Sequence, residues 1–118
     1  MRREQRLRRR KDFDAIYRRG DVTGNRLLVL RVRPNDLPQT RFGFVAGKVV
    51  GGAVTRNLVK RRLRAIAQHA HARDGLDIVV AARRSAVDAR YNELERAFIA
   101  LLRRAGAVGE ARETEEKR

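Results

Sequence analysis

The chain has 118 residues, enough for one domain with a single modest core. Its 29 Lys and Arg stand against 14 Asp and Glu, a formal net charge of +15, and 42% hydrophobic residues set it apart from a disordered polycation. The lack of cysteine excludes a disulfide framework, thiolate metal ligands and a thiol nucleophile; it fits a cytoplasmic protein, as does the lack of any apolar run near the ~20 residues of a membrane span.

The first ten residues hold six arginines and no apolar periodicity, so residues 1–10 are expected to form a flexible basic arm. Helical spacing begins at Lys11. Phe13, Ile16 and Tyr17 share one face, Asp12 and Asp14 suit the N-terminal end, and Gly20 is expected to stop the helix after Arg19. At about two turns this helix is too short to persist alone and must dock. A minor strand is expected around Asp21–Thr23 and a firm one over Leu27–Val32, with Leu28, Leu30 and Val32 on one side. A second firm strand covers Arg41–Ala46, followed by a Gly-rich connector, residues 47–52, that carries Lys48. The longest helix is expected from Val54 to about Ala72, ended by Gly75. A third firm strand spans Asp77–Ala82. A last amphipathic helix, N-capped by Asp88, places Tyr91, Leu94, Phe98, Leu101, Leu102 and Ala105 in one stripe and stops at Gly106. The domain thus runs over residues 11–106, with a polar tail over 107–118.

Charge is sorted along this order. Residues 1–64 carry 19 Lys and Arg against 5 Asp and Glu, whereas residues 65–118 carry 10 against 9. Codon bias accounts for 25 Arg against 4 Lys, but it does not sort charge along a chain. The asymmetry marks a polyanion-binding surface.

The longest helix concentrates that surface. Val59, Leu63, Ile66 and Ala70 fall in a narrow apolar seam, with Asn57, Lys60, Arg61, Arg64 and Gln68 opposite and Arg56 and Arg62 on the flanks. A solvated helix face ordinarily mixes charges to gain i,i+4 pairs. Here no acidic residue occurs between Gly51 and Arg73, and Lys60, Arg61 and Arg64 repel one another. An anionic partner offsets that repulsion, and the planar guanidinium fork matches phosphate.

These residues resemble the protein component of bacterial ribonuclease P. The family's basic run is matched by Arg56-Asn57, Lys60-Arg61 and Arg64, and the likeness extends to Arg6-Leu7, Asp12-Phe13, Asn25-Arg26, Arg41-x-Gly43, Lys48 and Ala53-Val54. It implies an α+β fold, an αβββαβα two-layer sandwich with a four-stranded sheet and a left-handed βαβ crossover, against the usual right-handed rule. The family's activity implies the protein subunit of an endoribonuclease that removes the 5′ leader of precursor tRNA, with Mg2+ held mainly by a catalytic RNA. By that resemblance Lys48, Arg56, Asn57, Lys60, Arg61 and Arg64 contact the RNA subunit, and Phe13, Tyr17 and Arg31 face a cleft for the leader. Aromatic faces there would stack single-stranded bases without sequence preference. The family often has aromatics where this strand has Leu28 and Arg31; a planar cation can stand in for a ring at Arg31.

No catalytic residue or metal ligand is expected of the protein itself. His69 and His71, two apart on a helix, would point in opposing directions, and the carboxylates form no two-metal pattern. The connector lacks the Gly-Lys-Ser/Thr ending of a P-loop. Catalytic RNA and precursor tRNA are the expected partners, with no membrane or DNA. The alternative is a non-catalytic ribosomal or RNA-assembly protein, which would need the basic run but not a leader cleft.

Overall fold

Alternation in the Leu/Val runs becomes a four-stranded sheet formed by Asp21–Gly24 (β1), Leu28–Pro34 (β2), Arg41–Val45 (β3) and Leu76–Ala82 (β4), in the order β1-β2-β4-β3. The computed structural model describes residues 1–109. β1–β2 and β2–β4 pair antiparallel and β3–β4 parallel. Helices α1 (Arg10–Arg19), α2 (Ala53–His69) and α3 (Tyr91–Arg104) complete the order αβββαβα.

Period two sorts the sheet into unlike faces. Leu28, Leu30, Val32, Phe42, Ile78 and Val80 turn toward α2 and α3, where Val59, Leu63, Ile66, Leu94, Phe98 and Leu101 complete the main core. Leu28 therefore belongs to that core and not to the leader cleft; the β2 residues on the other face are Val29, Arg31 and Arg33. On that second face a small cluster of Leu7, Ile16 and Val79, flanked by Phe13 and Val45, anchors α1. Fully burying Ile16 contributes about 1.5–3 kcal/mol to a helix too short to stand alone. The ring of Phe13 lies directly on Gly43, where a Cβ would sit 2.7 Å from the ring carbons.

Several boundaries differ from the sequence expectations. α2 ends at His69 and not near Ala72, because the following residues are drawn into pairing with residues 107–109. Ala72 bridges Val108, and the Gly109 N–H donates to the His71 carbonyl at 2.6 Å. The first residues of the expected polar tail are thus tied down, Ala107 being fully buried; residues 110–118 lie outside the described residues. His71 consequently leaves the helix altogether. The expected flexible arm is likewise held. A 3-10 turn at Arg3–Gln5 leads into a parallel bridge between Arg6 and Phe42, and Leu7 is 6% exposed. Before α3 a 3-10 turn at Arg84–Val87 takes up Asp88, so Arg90 becomes the N-cap and its N–H donates to Glu93 Oε1 at 2.8 Å. Gly20 does stop α1, but through space and not backbone freedom. A Cβ there would stand 2.6 Å from the Ile16 carbonyl.

Candidate nucleic-acid interface

Two surfaces gather the residues that the sequence singled out. The first is the outer side of α2. Val59, Leu63, Ile66 and Ala67 are buried, with Ala70 only partly so, and this seam fixes the rotation of the helix. Arg56, Lys60 and Arg64 follow one another at i, i+4 and i+8 as a half-buried row, while Asn57 and Arg61 are exposed beside it. The Nε groups of Arg56 and Arg64 are shut off from solvent without an acceptor, and the Arg64 guanidinium lies 5.9 Å from the Phe44 ring centroid. Packed stems restrict where those guanidinium heads can point. Lys48, exposed in a 3-10 turn at Lys48–Val50 that contacts α2, extends the surface beyond the helix N-terminus. None of these cations forms an ion pair among the described residues. The face is not wholly ionic, since Val54 is 84% exposed in the first turn and Leu58 follows it one turn later.

The second surface is the side of the sheet that α1 crosses. Arg31, Val79 and Gly43 form one row across β2, β4 and β3, and α1 sits over it through Phe13, Ile16 and Tyr17. The Arg31 guanidinium lies 4.4 Å from the centroid of the Tyr17 ring. Val22 on β1 is paired with Arg31 and is 58% exposed, and Tyr17 is 45% exposed. The next row, Val29, Ala81 and Val45, remains only partly covered. Phe13, Tyr17 and Arg31 therefore converge on an apolar floor with a ring and a planar cation at its edge. Val22, Val29, Val45 and Ala81 were missed by the sequence reading. Their signal was the alternation itself, since Val29 shares a face with Arg31.

Beside this surface a second arginine, Arg41, is fully engaged. Arg41 Nε and Nη2 donate to the two carboxylate oxygens of Asp77 at 2.8 and 2.7 Å, and Asp12 lies 3.5 Å away. Asp77, only 4% exposed, also accepts from Asn35 Nδ2 at 3.0 Å. The hydrogen bond to Asp77 holds the Arg41 guanidinium above its ordinary pKa range and outweighs the opposing effect of burial. Asn25 is also structural. Its Oδ1 accepts from the Leu27 and Leu28 N–H groups, and its Nδ2 donates to the Ala97 carbonyl, tying the β1–β2 turn to α3.

Comparison with known proteins identifies the arrangement. A model of the ribonuclease P family matches residues 1–106. The chain belongs to the ribonuclease P family. Among its relatives, the ribonuclease P protein component of Clostridium botulinum strain Loch Maree is 40% identical over 106 residues, covering 87% of this chain and 96% of that protein. The protein component of Streptococcus pyogenes serotype M5 is 36% identical and covers 99% of each chain. The solved ribonuclease P proteins of Staphylococcus aureus and Thermotoga maritima share 29% and 30% identity, with TM-scores of 0.81 and 0.78, over 89% and 84% of this chain and 98% and 96% of theirs. The α+β fold is thus that of the bacterial ribonuclease P proteins.

As a ribonuclease P protein, the chain brings its implied contact residues together on two surfaces. Asp12 and Asp77 are held by Arg41, and among the described residues no three His, Asp or Glu side chains converge in the manner of a metal site. No helix among the described residues is long and apolar enough to cross a membrane.

Proposed function

We propose that the chain is the protein subunit of ribonuclease P in the cytoplasm, binding the catalytic RNA through α2 and Lys48 and the 5′ leader of precursor tRNA through the face crossed by α1. The observation that carries this reading is the pairing of an acid-free cationic helix with a separate ring-and-cation platform. Phosphate contacts from Arg56, Lys60, Arg61 and Arg64 position an RNA without reading its sequence. Tyr17 offers a ring face to unpaired bases of any identity, and Val22, Val29 and Val45 supply apolar contact beneath them. Holding the leader fixes the register of the scissile phosphodiester against the RNA subunit. Water then attacks phosphorus and the 3′ oxygen of the leader departs, leaving the 5′ phosphate on the mature tRNA. Mg2+ belongs to the RNA in this division of labour, and the cations of the protein reduce the repulsion between RNA and substrate.

The reading is tested by combining the chain with a bacterial ribonuclease P RNA and labelled precursor tRNA at low Mg2+. Cleavage at the leader junction requiring both components is expected; cleavage by the protein alone, or no stimulation of the RNA, overturns it. In the same assay Tyr17→Ala is expected to weaken precursor binding by about 1–3 kcal/mol and leave mature tRNA binding unchanged. Equal losses for the two tRNAs would remove Tyr17 from the leader site.

A further inference from the structure

The N-terminal segment builds a third surface, and it is cationic. Leu7 is buried against Ile16 and Val79, and its N–H donates to the Phe42 carbonyl at 2.8 Å. That anchor converts a string of like charges into a wall. Between the segment, the start of α1 and the β2–β3 loop lies a cavity of about 600 Å3 lined by Arg3, Arg6, Arg8, Arg9 and Arg41. Glu4 and Asp12 are the acidic residues in the lining, and Asp12 is already drawn to Arg41 at 3.5 Å. The other four arginines form no ion pair among the described residues. Like charges gathered around one cavity repel, so clustered guanidinium groups favour an anion among them.

The lining also restricts which anion fits. No aromatic ring borders the cavity, so a base finds no stacking surface there, while guanidinium forks match phosphate oxygens in pairs. The strand register separates it from the platform. Arg41 and Asp77 lie on one side of the Arg31–Val79–Gly43 row that α1 covers, and Val45, Ala81 and Val29 lie on the other. α2 packs on the opposite face of the sheet.

We propose that this cavity is a third RNA-binding subsite, which takes backbone phosphates of a folded RNA and makes no base contacts. It rests on the reading that the partners of this chain are RNA, and extends it to a site that neither α2 nor the Tyr17 platform supplies. Its phosphates come from the RNA subunit or from the body of the tRNA.

The test uses the full chain carrying Arg6→Gln and Arg8→Gln, which leave the Leu7 anchor in place, with thermal unfolding as a check on folding. A second variant, Arg3→Gln with Arg9→Gln, removes the same charge from the other side of the cavity. Dissociation constants are measured for the RNA subunit alone and for mature tRNA across a salt series. Each double variant is expected to weaken one of these RNAs on the order of tenfold and to flatten its salt slope by about 1.4–1.8. A loss confined to the RNA subunit assigns the phosphates to it, and a loss confined to mature tRNA assigns them to the substrate body. Unchanged affinity for both overturns the subsite. So does an equal loss in an Arg96→Gln, Arg103→Gln control, which removes the same charge from exposed positions on α3. These readouts are affinities, so they judge the cavity even if the reconstituted enzyme fails to cleave.

Discussion

Arg41 and Arg31, on the α1 side of the sheet, have partners within the protein, whereas the cations of α2 have no ionic partner among the described residues. Arg41 is locked to Asp77 and approached by Asp12, and Arg31 lies against Tyr17. Arg56 and Arg64 have buried Nε groups without acceptors, and Arg61 is exposed. The same residue type is thus neutralised within the fold where a carboxylate is built beside it, as at Arg41, and is left without an opposite charge along α2. Charge count alone does not distinguish the two; the neighbours do.

The contrast is broken most strongly at Arg41. Arg41→Ala leaves the buried Asp77 carboxylate unpaired and is expected to cost about 3 kcal/mol of stability, measured by urea unfolding. A loss below about 1 kcal/mol would show that the pair is replaceable by water and that Arg41 is not structural. Gly43→Ala is next. The added methyl would collide with the Phe13 ring, so a loss of about 1–3 kcal/mol is expected, together with weaker leader binding as the ring is pushed off its place on β3. Wild-type affinity for precursor tRNA in that variant would mean that the position of Phe13 is immaterial to the leader. Arg61→Ala is the smallest. Stability is expected to stay within about 0.5 kcal/mol of the parent, while the slope of log affinity for the RNA subunit against log salt flattens by about 0.7–0.9. A stability loss with an unchanged slope would move Arg61 into the partnered class.

Much of this was legible along the chain, and what was not depends on residues far apart in it. The α2 seam of Val59, Leu63 and Ile66 and the α3 stripe of Leu94, Phe98, Leu101 and Leu102 follow from helical period alone. The motif Arg41-x-Gly43 was visible, but its physical reason was not. Arg41 answers to Asp77 on a neighbouring strand, and Gly43 makes room for a ring on α1. The end of α2 depends on residues 107–109 in the same way, since backbone groups that appear free to continue a helix are claimed by a partner segment. The opposite facing of Leu28 and Arg31, three apart on a strand, was by contrast legible from the alternation, and one enters the core while the other lies against Tyr17.

The bridge between Arg6 and Phe42 has a bearing on how copies of the chain behave toward one another. β3 lies at an edge of the sheet, and a bare edge offers unpaired N–H and C=O groups on which another chain can continue the ladder. Arg6 and Leu7 occupy part of that edge from within, and the arginines on either side of Leu7 add like charge against any approaching strand. The segment proposed to gather phosphate therefore also covers part of the edge on which a second copy could add a strand.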